Sequence, residues 1–91
     1  LNPVELARQM TILEHGLYRR IRPFECLDKG WTLKDKELRS PNVLRMVRLF
    51  NRHSQWISTL ILQQPDVKLR VQTIENIISC AEALRALNNF N

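Results

Sequence analysis

The stretch Ser40-Pro41-Asn42-Val43-Leu44-Arg45-Met46-Val47-Arg48-Leu49-Phe50-Asn51 decides the fold class. Serine followed by proline is a helix-start signal. The hydroxyl can accept a free first-turn amide, and proline's fixed φ suits the first helical position. Apolar residues then recur at helical spacing. At about 100° per residue, Val43, Met46, Val47, Phe50, Ile57 and Ile61 fall within one arc. A helix is expected over 41–63, with Ser40 as its cap and that arc as its core face. A second stripe runs beside it, Leu44, Arg48, Asn51 and Gln55, with Arg45 and Arg52 just beyond. One face suits a core, and its neighbour is basic and amide-bearing with a single leucine.

Three further X-Pro steps punctuate the chain on either side. Asn2-Pro3, with Glu5 three residues after Asn2, resembles a capping box, and Leu6, Met10, Leu13 and Leu17 follow at helical spacing. A helix is expected over about 3–20, with Glu14 and His15 on its surface. Pro23 restarts the chain for a short turn, Phe24 to Leu27, which Asp28-Lys29-Gly30 breaks; Thr32 to Arg39 reads as at most a short surface helix. Gln64-Pro65-Asp66 opens the last helix, expected over 65–87. Its apolar residues, among them Leu69, Val71, Ile74, Ile77, Ile78 and Leu84, cover more than half its girth, as in a helix buried from several sides. The remaining elements are too few to cover it, so the chain reads as an incomplete domain. No strand pattern stands out. The fold class is all-α.

Composition narrows the function. The 91 residues carry 14 Lys and Arg against nine Asp and Glu, a net charge of +5. That balance suits a nucleic-acid, anionic-membrane or acidic-protein partner without choosing among them. No apolar run approaches the ~18 residues that span a bilayer, and the N-terminus lacks a signal-peptide layout, so no integral membrane segment is expected. Cys26 and Cys80 lack the spacing of a zinc site and read as buried free thiols in a reducing compartment. His15 and His53 stand apart; His53, at the edge of the core arc, is expected to be partly buried. No phosphate loop, dinucleotide fingerprint, zinc-protease motif or nucleophile elbow occurs, so catalytic residues, metal ligands and cofactors are all expected to be none.

Several phrases in order resemble one family. Pro3-Val4-Glu5-Leu6-Ala7-Arg8-Gln9-Met10-Thr11, Leu17-Tyr18-Arg19-Arg20-Ile21-Arg22-Pro23-Phe24-Glu25-Cys26-Leu27, Ser40-Pro41-Asn42-Val43-Leu44-Arg45-Met46 and Leu87-Asn88-Asn89-Phe90-Asn91 are similar to the opening blocks of the catalytic domain of Ras-family guanine nucleotide exchange factors. Trp31 before a charged run, and Asn51 with Trp56 five residues later, also fit. The resemblance covers essentially all of residues 1–91, as the N-terminal part of such a domain. It implies an orthogonal helical array that promotes GDP release from a small GTPase (Ras, Rap or Ral), without covalent chemistry, in the cytoplasm or at a membrane to which parts outside these residues recruit it. The family's helical hairpin lies later, so these residues alone are expected to be inactive.

The resemblance carries the GTPase contact onto Leu44, Arg48 and Asn51, the stripe already set apart by the helical wheel. Leucine would supply an apolar anchor, arginine a carboxylate or carbonyl contact, and asparagine an amide. The same stripe could instead pack on the rest of the domain, and Arg45 and Arg52 read as solvated. Trp31, Trp56 and Phe90 are expected in packing, and Asn88, Asn89 and Asn91 as satisfiers of backbone groups where the last helix ends. Two other classes remain open. One is a structural fragment that pairs with another chain or a second copy. The other is a basic helical nucleic-acid-binding module using Arg45, Arg48 and Arg52; the interspersed acidic residues argue against it, and no nucleic-acid partner is expected.

Overall fold

The computed structural model describes residues 2–91, and among them there is no strand. Four α-helices and one 3₁₀ segment follow in order: α1 Pro3–Tyr18, the 3₁₀ segment Pro23–Thr32, α2 Lys36–Arg39, α3 Pro41–Leu62 and α4 Val67–Ala86. The three long helices thus sit where the proline steps and the apolar periodicity put them, with ends one or two residues shorter. Asn2 caps α1 by accepting the Val4 and Glu5 amides on Oδ1 at 3.0 and 3.3 Å. Asp66 caps α4 through the Leu69 amide at 2.8 Å. The break at 28–30 is a left-handed turn, with φ near +50° at both Asp28 and Lys29.

α1 lies against α4 and α3, and α3 also contacts the 3₁₀ segment and α2. The inward stripe of α1 is Leu6, Ala7, Met10, Glu14 and Leu17, whereas Leu13 is half exposed. Expected on the surface, Glu14 is instead buried, occupying the core position two turns after Ala7; His15 is exposed. The inner face of α3 also differs from expectation. Val43, Met46, Leu49, His53, Ile57, Leu60 and Ile61 turn inward, a face rotated by about 45° from the arc read in the sequence. Val47 and Phe50 are left about half exposed at its margin. The cause is that α3 is covered from two sides. α1 and α4 take the inner face, while the 3₁₀ segment and α2 cover the first turn, where Leu44 is buried.

The last helix keeps much of its apolar girth uncovered. Cys80 is buried and Ile77 and Leu84 partly so, but Leu69, Val71, Ile74, Ile78 and Leu87 are exposed to a third or more. Burial alone pushes the Cys80 thiol up. Cys26, expected to be buried, is exposed on the 3₁₀ segment. Trp31 is half-buried and Phe90 is largely exposed rather than packed; Trp56, 40% exposed, edges an apolar crevice of about 230 Å³ with Leu6, Met10, Ile57, Leu60 and Ile77. The whole is flat, with extents of 47 × 26 × 15 Å. Its accessible surface, 7149 Å², exceeds by a wide margin the roughly 5,500 Å² of a closed globule of this mass.

The end of α4 is a complete Schellman turn. The Asn88 amide donates to Arg85 O at 3.0 Å and the Asn89 amide to Leu84 O at 2.9 Å. Asn88 takes the left-handed position (φ 59°) usually given to glycine. Asn88 and Asn89 therefore act at the helix end as expected, and Asn89 Oδ1 also accepts the Asn91 amide at 3.2 Å. The Asn89 and Asn91 side-chain amides reach in addition to α1.

Candidate functional site

Two buried carboxylates fix the elements around the α3 stripe. Glu25, on the 3₁₀ segment, points at the N-terminus of α3. Its Oε1 accepts the Asn42 and Val43 amides at 2.7 and 3.3 Å, and its Oε2 accepts the Asn42 side-chain amide at 3.1 Å and the Arg22 backbone amide at 2.8 Å. Burial pushes the Glu25 carboxyl up, but the hydrogen bonds from Arg22, Asn42 and Val43 outweigh it and hold the group below its ordinary value of 4.5. Glu25 is thus the cap of α3, supplied from 17 residues upstream. Ser40, expected to fill that role, caps nothing; its hydroxyl donates to Glu25 O. Gly30 allows this closeness, since a Cβ there would stand 2.9 Å from Ser40 Oγ and 3.1 Å from Arg39 Cβ.

Glu14 forms the second knot. It accepts the side-chain amides of Asn89 and Asn91, the latter at 3.0 Å, and His53 Nδ1 of α3 stands 3.8 Å away. Asn89 also donates to Thr11 Oγ1 at 3.1 Å. His53 is partly buried, as its place on the wheel suggested, but its neighbour is a carboxylate that periodicity did not bring inside. These contacts bind α1, α3 and the turn after α4 together.

Between the knots, the stripe of α3 divides. Leu44 is 8% exposed, beneath the 3₁₀ segment and α2. Arg48 and Asn51 face outward, one turn and two turns further along. Arg48 Nη2 donates to Glu37 Oε1 of α2 at 2.6 Å, an exposed pair. Such a pair contributes at most about 1 kcal/mol, so it orients the guanidinium while leaving it free to exchange Glu37 for another carboxylate. Arg45 and Arg52 are exposed on one side of the stripe, and half-exposed Val47 and Phe50 lie on the other. The outer face of α3 therefore offers an apolar strip, a held arginine and an amide within about 10 Å of helix.

Glu25 and Glu37 were not singled out from the sequence. Both act across loops, on residues 17 and 11 positions away, and no local spacing rule reports such partners.

Comparison with known proteins gives a consistent answer. Residues 5–91 match the RasGEF domain. The chain is 42% identical to Ras guanine nucleotide exchange factor P of Dictyostelium discoideum over 92 aligned residues, covering all of this chain and 6% of that protein. It is 42% identical to exchange factor E of the same organism, covering 9% of it, and 36% identical to the son of sevenless protein of Drosophila melanogaster, covering 6%. The chain thus spans between about a twentieth and a seventh of the length of the curated relatives it matches. The match runs from the first turn of α1 to the asparagines that close on Glu14, so the chain belongs to the RasGEF domain family.

Proposed function

We propose that this chain serves a guanine nucleotide exchange factor for a Ras-family GTPase and that the outer face of α3 is one of its contact surfaces. The observation that carries the reading is the arrangement around Arg48. An exposed guanidinium is held by one exposed carboxylate, next to Asn51 and to the half-exposed Val47 and Phe50. A partner presenting a carboxylate or carbonyl beside an apolar residue fits that face. Leu44 belongs to the surface as the residue under it: its packing sets the height at which Arg48 leaves the helix. Family membership supplies the partner class, and which of Ras, Rap or Ral is served belongs to surfaces outside these residues.

Exchange couples binding of the factor to loss of nucleotide, which requires both a recognition surface and an element that displaces the segments holding the phosphates. The α3 face offers the first. We therefore expect the 91 residues alone to bind weakly and to leave GDP release unaccelerated. Fluorescent GDP release from Ras, Rap and Ral at high chain concentration tests this, together with binding of the chain to the nucleotide-free GTPases. Arg48→Ala is expected to weaken that binding about tenfold with an unchanged helical CD spectrum. Equal binding by both forms refutes the α3 assignment, and accelerated release refutes the inactivity.

A second reading rests on the exposed apolar side of α4, where Val67, Val71, Ile74 and Ile78 share one face. This face suits pairing with further polypeptide, either the remainder of the domain or a second copy, and is compatible with the first reading.

A further inference from the structure

The link between α1 and the 3₁₀ segment combines two kinds of exposure. Tyr18, Phe24 and Leu27 are 66, 53 and 63% exposed. Around them Arg19, Arg20, Arg22 and Lys29 are all exposed, and none has an acidic partner within 4.0 Å among the described residues. The two acids of the segment do not answer these cations. Glu25 turns inward and is consumed in capping α3. Asp28 makes no ion pair within 4.0 Å among the described residues.

The backbone explains why the apolar groups stay outside. In a 3₁₀ turn residues three apart lie above one another. Glu25 must face α3 to cap it, which turns Phe24 and Leu27, one turn apart on a different edge, away from the protein. The left-handed turn at Asp28 and Lys29 then carries Lys29 out at its tip. Aromatic and aliphatic groups standing among unpaired cations match a surface that is negative outside and apolar a few ångströms deeper.

We propose that the segment Tyr18–Lys29 is a docking surface for an anionic lipid bilayer, with Arg19, Arg20, Arg22 and Lys29 on the headgroups and Phe24 and Leu27 dipping into the interface. Charge complementarity selects this occupant. Each cation held near an anionic membrane surface contributes about fivefold to partition at physiological ionic strength, and the apolar groups add to it. The surface is separate from the outer face of α3, and the proposal does not depend on the exchange reading.

The test is co-sedimentation of the chain with phosphatidylcholine vesicles containing 30% phosphatidylserine (roughly the anionic content for which the per-charge figure holds) and with pure phosphatidylcholine vesicles, with no GTPase present. Partition onto the serine-containing vesicles is expected, and it should collapse as salt rises from about 50 to about 500 mM, because the screening length falls from roughly 14 to roughly 4 Å. Arg19→Ala with Arg20→Ala should lower partition about 25-fold. Phe24→Ser with Leu27→Ser should lower it about tenfold with the cations intact. Both double variants are checked by CD for an unchanged helical spectrum. No partition by the folded chain, or equal partition onto pure phosphatidylcholine, overturns the proposal. So does an equal loss from Lys68→Ala with Arg70→Ala, two exposed cations at the start of α4, since charge anywhere would then suffice. An oligonucleotide bound through Arg19 and Arg20 without vesicle partition assigns the patch to nucleic acid and overturns the lipid reading.

Discussion

Replacing Glu25 by Gln changes one atom of the structure in kind and almost none in shape. The remaining carbonyl oxygen can still accept the Asn42 and Val43 amides where Oε1 now stands. The new amide group falls where Oε2 accepts the Arg22 amide at 2.8 Å and the Asn42 side chain at 3.1 Å, so donor meets donor. A buried donor left without its acceptor costs about 1–3 kcal/mol. Loss of a negative charge at the α3 N-terminus costs about 0.5–2 kcal/mol more. The sum is roughly 3 kcal/mol, a large share of a small domain's stability. Urea denaturation followed by far-UV CD should therefore show a midpoint lower by 2 M or more at pH 7, for a slope near 1 kcal/mol/M that the substitution leaves unchanged. Charge gives the effect its pH dependence. Because the folded-state carboxyl lies below its ordinary value of 4.5, its contribution is fully present above that value and is lost as pH falls through the folded-state value. The gap between wild type and Glu25→Gln should then close as pH is lowered from 5 towards 2. Equal stability of the two forms at pH 7, or a gap of constant size down to low pH, would refute the capping role. Glu37→Gln, at an exposed pair, serves as the control and should shift the midpoint by less than about 1 M at the same slope.

Substitutions at three other positions probe the same framework by thermal or urea denaturation. Gly30→Ala should destabilise by about 1–3 kcal/mol, because the added methyl meets Ser40 Oγ at 2.9 Å and displaces the hydroxyl from Glu25 O. Asn88→Ala should cost about 1 kcal/mol for the left-handed position, whereas Asn88→Gly should be neutral or slightly stabilising. Asn89→Ala removes the donors to Thr11 and Glu14 and should cost about 2 kcal/mol, with faster amide exchange at the end of α4. A neutral Asn89→Ala would mean that Glu14 holds the turn through Asn91 alone.

Periodicity and proline positions were enough to place α1, α3 and α4, because those signals are local: each helix start is written in two or three adjacent residues. What they could not show is how a helix is rotated once neighbours cover it from two sides. The wheel of α3 put Val47 and Phe50 in the core and Leu44 beside it. The structure exposes the first two and buries the third, because the 3₁₀ segment and α2 cover a side that an isolated amphipathic pattern treats as solvent. Glu14 was misread for a related reason. A charged residue on a helix surface is the common case, and its burial becomes reasonable only when Asn89 and Asn91, more than 70 residues away, supply donors. The candidate stripe was legible as three residues on one face, but its division into a covered Leu44 and outward Arg48 and Asn51 was not.

The two knots also bear on how the proposed contact face would work. Packing against α1, α4, the 3₁₀ segment and α2 is one restraint on rotation of the 22-residue α3 about its axis. Rolling by about 45°, the difference between the expected and observed inner faces, would turn Arg48 and Asn51 by half a quadrant. Glu25 opposes this at the first turn by gripping two backbone amides, and Glu14 approaches His53 three turns later. The grip at the first turn is on backbone groups, so it fixes the rotation whatever side chains the face presents. It follows that Glu25→Gln and Arg48→Ala should be separable. The first should weaken a partner in proportion to the lost fold and recover when α3 is restabilised by lower temperature or osmolyte. The second should weaken the partner under every condition in which the chain is folded. Loss of binding by Glu25→Gln that no stabilising condition restores would show that Glu25 itself meets the partner, contrary to its burial.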